Sequence, residues 1–147
     1  MTDITFQFAH SRDESRIIAL LQSAALPTAD LQNAAWENFI LAHQAEKLVG
    51  VIGLELHNAF GLVRSLAVTE SVRGAGLGSD LLQRIEDHAR TSDIGQLGLI
   101  TDSAQAFFTR HGYQTVARSD APLALRETEQ FRCICPDSAA IMLQSLS

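Results

Sequence analysis

The chain has 147 residues, 46% of them hydrophobic, which suits one domain with a single buried core over residues 1–147. Its formal net charge is −6 at pH 7 and Lys47 is its one lysine, which disfavours nucleic-acid binding because phosphate backbones are held mainly by clustered Lys and Arg. The longest apolar run, Leu48 to Leu54, is far shorter than the roughly 20 residues that span a bilayer. The first residues do not resemble a secretory signal. We therefore expect a cytoplasmic protein without membrane partners.

The first part of the sequence predicts a strand followed by a helix. Residues 5–9 alternate between polar and apolar side chains, as a half-buried strand does. Ser11 followed by Glu14 is a capping-box pattern, and apolar residues then recur at helical spacing as far as Ala25. Pro27 breaks this helix, and residues 28–30 are suited to cap a short second helix that runs toward Trp36.

Three apolar segments then predict a meander of antiparallel strands. Residues 39–43 and 48–57 are joined by a turn at residues 45–47. A second turn at residues 58–61 leads into residues 62–68.

A glycine-rich segment follows the meander and precedes an amphipathic helix. Gly74, Gly76 and Gly78 let the main chain approach a ligand closely, and the helix that begins there aims unpaired N–H groups and its positive dipole end at an anion. This order predicts a phosphate-binding site. The helix residues predicted to face the core are Leu81, Leu82, Ile85 and Ala89.

The remaining sequence predicts a strand, a helix, two strands and a last helix. The strand spans residues 97–101, and the helix after it is capped by Asp102 or Ser103, runs through Phe108 and ends at Gly112. The later strands are predicted at residues 113–117 and 131–135, and the last helix at residues 138–146.

This order of elements predicts an α/β fold of the α+β kind. The meander requires antiparallel neighbours, whereas the strand–helix–strand unit across residues 62–101 requires a parallel pair. We therefore expect a mixed, mostly antiparallel sheet of about six to seven strands with helices on both faces.

Three phosphate-binding designs compete for residues 73–78. The P-loop needs a lysine that is missing, and the dinucleotide fingerprint needs a longer glycine spacing than Gly74, Gly76 and Gly78 provide. The third design, Arg-x-x-Gly-x-Gly, is filled by Arg73, Gly76 and Gly78. With this motif the chain resembles the GNAT superfamily of acyl-CoA-dependent N-acyltransferases, and the resemblance covers nearly the whole chain.

The resemblance implies a binding site for coenzyme A. Main-chain groups of Leu66, Ala67 and Val68 would pair with pantetheine and polarise the thioester carbonyl. The loop that takes the pyrophosphate would consist of Arg73, Gly74, Ala75, Gly76, Leu77 and Gly78.

A second segment, around residues 101–113, supports the resemblance and departs from it at two positions. Ala104, Gly112 and Tyr113 agree with the family pattern. Thr101 stands where the family often has an asparagine that contacts the coenzyme, and Phe108 where many members have a tyrosine that protonates the departing thiolate. Because phenylalanine cannot donate a proton, water or the product amine would have to do so. We expect Thr101, Ala104 and Phe108 to line the coenzyme site.

Glu55 and His57 are the candidates for the general base. They share one face of a strand, near its end, because side chains alternate along a strand. Glu55 is the first candidate and His57 the second. The alternative is that Glu55 is a solvated residue at the end of the strand and His57 a turn residue.

The acceptor side of the site has its own candidates. Arg64 and Ser65 could orient a substrate carboxylate or oxyanion, although Arg64 could instead pair with Glu55 across the sheet. The acceptor wall would consist of Trp36, Phe39 and the segment at residues 26–31, as the resemblance implies.

Two segments resemble a GNAT subgroup, the arsenic-resistance N-acetyltransferases. They are Leu26 to Leu31 and the pattern Thr128-x-Gln130-Phe131-x-x-x-Cys135-Pro136-x-Ser138-Ala139. Cys133 and Cys135, if they lie on one strand, point to the same face and could bind a soft metalloid; the alternative is that both pack as small hydrophobic side chains. No spacing of histidines and cysteines predicts a metal site.

The sequence therefore predicts an acetyl-CoA-dependent N-acetyltransferase of a small amine, which transfers the acetyl group directly in a ternary complex and has a link to arsenical resistance. Acetyl-CoA would be the co-substrate. The alternative is a GNAT-like module that holds coenzyme A or a metalloid without turnover, which Phe108 favours. Exposed sheet edges also predict a homodimer.

Overall fold

The computed structural model describes residues 3–134 and 138–146. Its strands and α-helices follow one another as β1 (Ile4–Phe8), α1 (Glu14–Ser23), β2 (Phe39–Gln44), β3 (Lys47–His57), β4 (Phe60–Val68), α2 (Leu77–Thr91), β5 (Gln96–Thr101), α3 (Gln105–Arg110), β6 (Gln114–Val116), α4 (Leu123–Arg126) and β7 (Ala140–Ser145).

These strands form one seven-stranded sheet in the order β1-β2-β3-β4-β5-β7-β6. Neighbours are antiparallel except β4 and β5, which are joined through α2 and pair in parallel. The predicted mixed, mostly antiparallel sheet is therefore confirmed. The sheet ends in β1 and β6, and a homodimer through such edges stays a prediction.

Helices cover both faces of the sheet, as predicted. Ile40 and Ala42 of β2 belong to the core under α2, whereas Phe39 and Leu41 belong to the core under α1. This alternation follows from the two-residue period of a strand and explains why β2 is apolar on both sides. The α2 residues predicted to face the core are all buried: Leu81, Leu82, Ile85 and Ala89.

The end of the chain differs from the prediction. Residues 140–145 form β7, not a helix, and β7 lies between β5 and β6. Ile141 and Met142 are both buried and belong to different cores, as in an internal strand that is covered on two faces. Apolar residues on both faces of a strand mimic helical spacing over so short a segment.

The strand predicted at residues 131–135 is also wrong. Gln130–Ile134 is a π-helical turn, and residue 135 lies outside the described part of the chain. Cys133 therefore does not lie on a strand, and Cys135, the other cysteine of the predicted pair, lies outside the described residues.

The short helix predicted after Pro27 is wrong as well. The chain runs in turns until a 3-10 turn at Trp36–Asn38. The side chain of Asp30, expected to help cap that helix, instead accepts hydrogen bonds from Arg64.

The predicted side-chain caps of α1 and α3 do not form, and other side chains accept the N–H groups just before these helices. Asp13, not Glu14, accepts the N–H of His10, at 2.9 Å, while Glu14 accepts the indole N–H of Trp36 at 3.1 Å. At α3, the N–H of Ala104 donates to the hydroxyl of Thr101 at 3.0 Å. In each case the acceptor lies one or two residues before the position that the sequence pattern indicated.

Asp13 gives a pH-dependent prediction for stability. Burial opposes its charged form, but the His10 N–H and Arg16, 2.6 Å away, outweigh burial and lower the pKa of Asp13 below 3.8. A lowered pKa in the folded state stabilises the fold above pH 3.8, and this contribution is lost as the pH falls through the folded-state pKa. Asp13→Asn should therefore reduce the free energy of unfolding by about 1 kcal/mol at pH 7 and by less at pH 3, measured by urea denaturation.

The control for this comparison is Asp87→Asn, because Asp87 is exposed and its pair with Arg90 lies on the surface. It should change stability little at either pH. An Asp13→Asn effect that is equal at pH 7 and pH 3 would contradict the prediction.

Candidate functional site

A large cleft lies where β4 and β5 separate. The two strands pair only from Phe60 with Gln96 to Leu62 with Gly98, while β4 continues to pair with β3 as far as Val68. Beyond Leu62 the edge of β4 that faces β5 has no strand partner, so a cavity of about 650 Å³ opens there. It is lined by residues 63–68, 99–104 and 24–27 with Arg73, Phe108, Gln130 and Ala139.

A β-bulge lies in the middle of this cleft. The register of β3 against β4 shifts between Val51 and Gly53, which pair with Ala67 and Arg64, so β4 carries an extra residue. Ser65 takes up the bulge with a φ of 60°, in the left-handed region. A non-glycine residue held there is strained by about 1–3 kcal/mol and persists only where its surroundings fix it. The bulge changes the direction of β4 at the point where its main chain is open to a ligand.

The glycine-rich loop directly follows Arg73, which lines the cleft. Gly74 and Gly76 have φ values of 86° and 82°, and a side chain there would meet nothing within 4 Å. In the described chain, the backbone N–H groups of residues 74–79 have no acceptor, and the next one, of Asp80, donates to the Gly76 carbonyl. Leu77 buries its side chain in the core, so its contribution to the loop is the main chain. N–H groups without acceptors at the start of the fifteen-residue α2 have the arrangement that suits an anion.

Arg73 connects this loop with the cleft. Its Nε donates to the Val68 carbonyl at 3.0 Å, which ties the loop to the end of β4. The Arg73 side chain is 57% exposed and lines the cleft, and its one ion-pair contact, with Glu70, is 3.8 Å long. Its guanidinium is therefore placed to bind a second anionic group beside the loop.

A buried ion cluster lies behind the opposite end of the cleft. The guanidinium of Arg64, 1% exposed, binds Asp30 with two hydrogen bonds, one of them 2.7 Å from Nη2 to Oδ1. It also donates to Glu55 at 2.6 Å and to the Ser65 hydroxyl at 3.0 Å. Burial alone would lower the pKa of Arg64, but Asp30 and Glu55 outweigh burial and raise it. The pairing of Arg64 with Glu55 is the alternative that the sequence left open; its pairing with Asp30 was not predicted.

Glu55 and His57 do not line the 650 Å³ cleft. They line a separate cavity of about 250 Å³, together with Asp30, Phe39 and Glu129. One Glu55 oxygen accepts from Arg64 and the other lies 3.0 Å from His57 Nε2. The general-base role of both residues stays a prediction, and the Glu55 carboxylate is already engaged on both oxygens.

Phe108 lines the cleft, and the hydroxyl of the tyrosine that packs on it is hydrogen-bonded elsewhere. Its ring is buried between Phe107 and Tyr113, with centroid distances of 5.1 and 5.6 Å. The Tyr113 hydroxyl donates to Glu86 at 2.8 Å instead, and burial together with Glu86 raises the pKa of Tyr113. Tyr113 is therefore not suited to protonate a leaving group in the cleft.

Of the residues predicted for the acceptor wall, Trp36, Phe39 and residues 28–31 do not line the cleft. Trp36 is buried, donates to Glu14 and packs on Phe39 at 4.9 Å, and it does not line the cleft. Leu26 and Pro27 do line it, as predicted for their segment. Gln130 and Ala139 also line the cleft and were not predicted as site residues, although they belong to the second segment with the arsenic-resistance resemblance.

Other classes of site find no support in residues 3–134 and 138–146. No helix there is long and apolar enough to cross a membrane. The same residues contain no group of three or more metal-binding side chains.

A sheet with this order, opened between β4 and β5 beside a glycine loop, is the architecture of an acyl-CoA N-acyltransferase. The sequence model of the acetyltransferase (GNAT) domain family matches residues 35–115, which is more than half of the chain. The chain belongs to this family.

A curated relative and several solved structures are similar to the chain. An IAA acetyltransferase of Azospirillum brasilense is 35% identical over 52% of this chain, and the alignment spans 53% of the relative's length. The structure of N-acetylglutamate synthase of Neisseria gonorrhoeae, in complex with coenzyme A and N-acetyl-glutamate, is also similar. It gives a TM-score of 0.84 at 21% identity, and the match covers 100% of this chain and 36% of the length of the synthase.

Two further structures cover nearly all of both chains. A Mycobacterium tuberculosis protein solved in complex with CoA gives a TM-score of 0.81 at 22% identity, over 97% of this chain and 99% of its own. A GNAT-family acetyltransferase of Staphylococcus aureus gives a TM-score of 0.79 at 20% identity. The match covers 99% of this chain and 100% of the other. At these identities the solved structures establish the fold.

The ion cluster predicts a large stability effect. Arg64→Met leaves the buried Asp30 carboxylate without its cation, so it should reduce the free energy of unfolding by about 3–5 kcal/mol, measured by urea denaturation. Adding Asp30→Asn should recover part of this loss, because the uncompensated charge is removed. Arg90→Met, at an exposed ion pair, is the control and should change stability by less than about 1 kcal/mol. A double variant no more stable than Arg64→Met alone would contradict this account.

Proposed function

We propose that this chain is an acetyl-CoA-dependent N-acetyltransferase that transfers the acetyl group directly to a small amine in a ternary complex. The observation that carries the proposal is the continuity of the site. Arg73 and the open edge of β4 line the same cleft, and the free N–H groups of residues 74–79 follow Arg73 directly in the chain. A diphosphate, an extended amide chain and a thioester are the chemical groups that such a series would bind in turn.

The coenzyme would bind through the main chain more than through side chains. The diphosphate would accept hydrogen bonds from the loop of residues 74–78, and Arg73 would pair with one of its charges. Pantetheine would add to the sheet beside Leu66, Ala67 and Val68 as a short extra strand, because β5 has already separated from β4 there. Thr101, Ala104 and Phe108 would form the facing wall.

The chemistry would depend mainly on positioning. The amine nitrogen attacks the thioester carbon, a C–N bond forms, and the C–S bond breaks with release of the thiolate. Main-chain N–H groups at the Ser65 bulge would stabilise the developing oxyanion. With Phe108 in place of a proton donor, the thiolate would take its proton from water or from the product ammonium; a thiol pKa of about 8.5 makes it an acceptable leaving group without a dedicated acid.

The charges at the acceptor end favour an amine that carries no carboxylate beside the amino group. Arg64 is the charged residue nearest the bulge, and both Asp30 and Glu55 already bind its guanidinium. It is therefore not free to bind a substrate carboxylate. The two carboxylates outnumber the one guanidinium, which favours a cationic or neutral acceptor.

A link to arsenical resistance is a further part of the proposal. It rests on the resemblance of residues 26–31 and 128–139 to arsenic-resistance N-acetyltransferases. Both segments contribute to the wall of the same cleft, through Leu26, Pro27, Gln130 and Ala139. Residues 135–137 of the second segment lie outside the described part of the chain.

Coenzyme binding is tested with the glycine loop. Gly76→Ala puts a side chain on a residue with a φ of 82°, at a cost of about 1–2 kcal/mol, so the loop should shift and the affinity for coenzyme A should fall about tenfold by calorimetry. Gly95→Ala is the matched control, because a side chain there also meets nothing within 4 Å and its φ is not in the left-handed region. Equal loss in both variants, or a thermal shift with NAD in place of coenzyme A, would overturn the coenzyme assignment.

Acceptor class is tested with paired substrates. We expect tyramine and phenethylamine to be acetylated at least about tenfold more efficiently, in kcat/KM, than tyrosine and phenylalanine, because burying an unpaired carboxylate is costly. Release of free thiol from acetyl-CoA measures the rate. A preference for the amino acids would refute the proposed acceptor class. A wider panel of amines consists of tyramine, phenethylamine, butylamine and histamine. Binding of coenzyme A without acetylation of any amine in this panel would favour the non-catalytic alternative.

A further inference from the structure

Asp102 is a carboxylate of the cleft to which nothing so far gives a task. It follows β5 directly, it is exposed, and it lines the cleft of about 650 Å³. The sequence pattern indicated Asp102 as a cap of α3, but the N–H of Ala104 donates to the Thr101 hydroxyl instead. The Asp102 carboxylate has no hydrogen-bond or ion-pair partner among the described residues. It is therefore available to a ligand.

The proton acceptors of the cleft can be found from its lining. Among the described residues that line it, the ionisable side chains are Arg64, Arg73 and Asp102. Neither arginine can accept a proton, because a guanidinium stays protonated in proteins. The other polar side chains of the lining are hydroxyls and one amide, which do not take up a proton near neutral pH. Asp102 is thus the one described lining residue whose side chain can accept a proton from a substrate.

The register of the two strands gives the level of Asp102 in the cleft. The last pair of β4 with β5 is Leu62 with Gly98. From this pair, Asp102 and Leu66 are each four residues further along the chain, which is about 13 Å of extended strand. Leu66 follows the bulge at Ser65, beside which the thioester would lie. Asp102 therefore lies across the cleft from the bulge, at about the level where an amine would meet the thioester.

A carboxylate in this cleft matches the acceptor and not the coenzyme. The phosphates of coenzyme A are anionic, so the free carboxylate of Asp102 repels them. A primary amine has a pKa of about 10 and enters the cleft at pH 7 mainly as a cation, which the carboxylate attracts. The same amine must lose a proton before its nitrogen can attack a carbonyl carbon. One group can meet both requirements.

We propose that the Asp102 carboxylate binds the ammonium group of the acceptor and takes one proton from it. The nitrogen lone pair then attacks the thioester carbon, the C–N bond forms, and the C–S bond breaks. The second proton leaves the nitrogen for the thiolate, directly or through water. Asp102, being exposed, returns its own proton to solvent. The inference rests on the proposed function and assigns its base to Asp102 in place of Glu55 and His57, which line the other cavity.

Asp102→Asn tests the proposal, because it removes the charge and the basic oxygen at nearly constant size. With phenethylamine and saturating acetyl-CoA at pH 7, kcat/KM for the amine should fall at least about tenfold, since a positioned base contributes about 10²- to 10⁴-fold and water replaces part of it in an open cleft. The difference from the wild type should shrink toward pH 9.5, because more of the amine is then neutral in solution. Asp102→Glu, which keeps a carboxylate, should be more active than Asp102→Asn.

Two further readouts exclude a merely structural effect. The affinity of Asp102→Asn for coenzyme A, measured by calorimetry, should equal or exceed that of the wild type, because a negative charge leaves the cleft. Its melting temperature should stay unchanged, since the exposed side chain loses no internal contact. The matched control is Asp87→Asn, an exposed aspartate that does not line the cleft, and its kcat/KM should stay within about twofold of the wild type.

The outcomes separate this inference from the proposed function. Suppose that the wild type acetylates phenethylamine, but Asp102→Asn keeps the wild-type kcat/KM, loses the same factor at pH 7 and pH 9.5, or binds coenzyme A more weakly. The inference is then wrong and the proposed function stands. If the wild type binds coenzyme A and acetylates none of the amines in the panel, the proposed function fails and the inference fails with it.

Discussion

The early separation of β4 and β5 determines most of what this molecule can do. Parallel pairing ends at Leu62 and Gly98, and from there the two strands continue along different neighbours, β3 and β7. Each strand is still held on one side, so the open edge between them costs little in the core while exposing main-chain groups to a ligand. The bulge at Ser65, Arg73 at the start of the glycine loop and the turn before α3 all line this opening. A sheet that paired fully would leave no room for an extended coenzyme.

The Arg64 cluster fixes the opposite wall. Asp30 lies in a segment of turns between α1 and β2, and its bidentate contact with Arg64 attaches that segment to β4. The neighbouring Leu26 and Pro27 thereby become part of the cleft. A buried ion pair of this kind adds little net stability, but it specifies one arrangement of the loop because any other leaves charges unpaired in the interior. The cluster thus connects the shape of the acceptor wall with the strand that would present the thioester.

The sequence predicted local elements well where a pattern was long and one-sided. The meander, α2 and the phosphate-type loop follow from alternation, helical periodicity and glycines that adopt positive φ, and each is present. The predictions from the sequence were wrong where contacts between residues far apart in the chain determine the conformation. Asp30 was predicted to cap a helix and instead binds Arg64. The segment of β7 was predicted as a helix because both faces of this strand are buried. Trp36 was predicted to line the acceptor site and instead donates a hydrogen bond to Glu14. Gln130 was part of a recognised pattern, but its unsatisfied oxygen is visible only once its surroundings are known.

The central claim is that the backbone amides at residues 74–79 and the open edge of β4 together hold an acyl-CoA. The most direct measurement is a crystal structure of the protein grown with coenzyme A. The account predicts the diphosphate on those amides, with Arg73 beside it and pantetheine running along Leu66 to Val68 toward the Ser65 bulge. A coenzyme bound in the 250 Å³ cavity beside Glu55 and His57, with the glycine loop vacant, would contradict it.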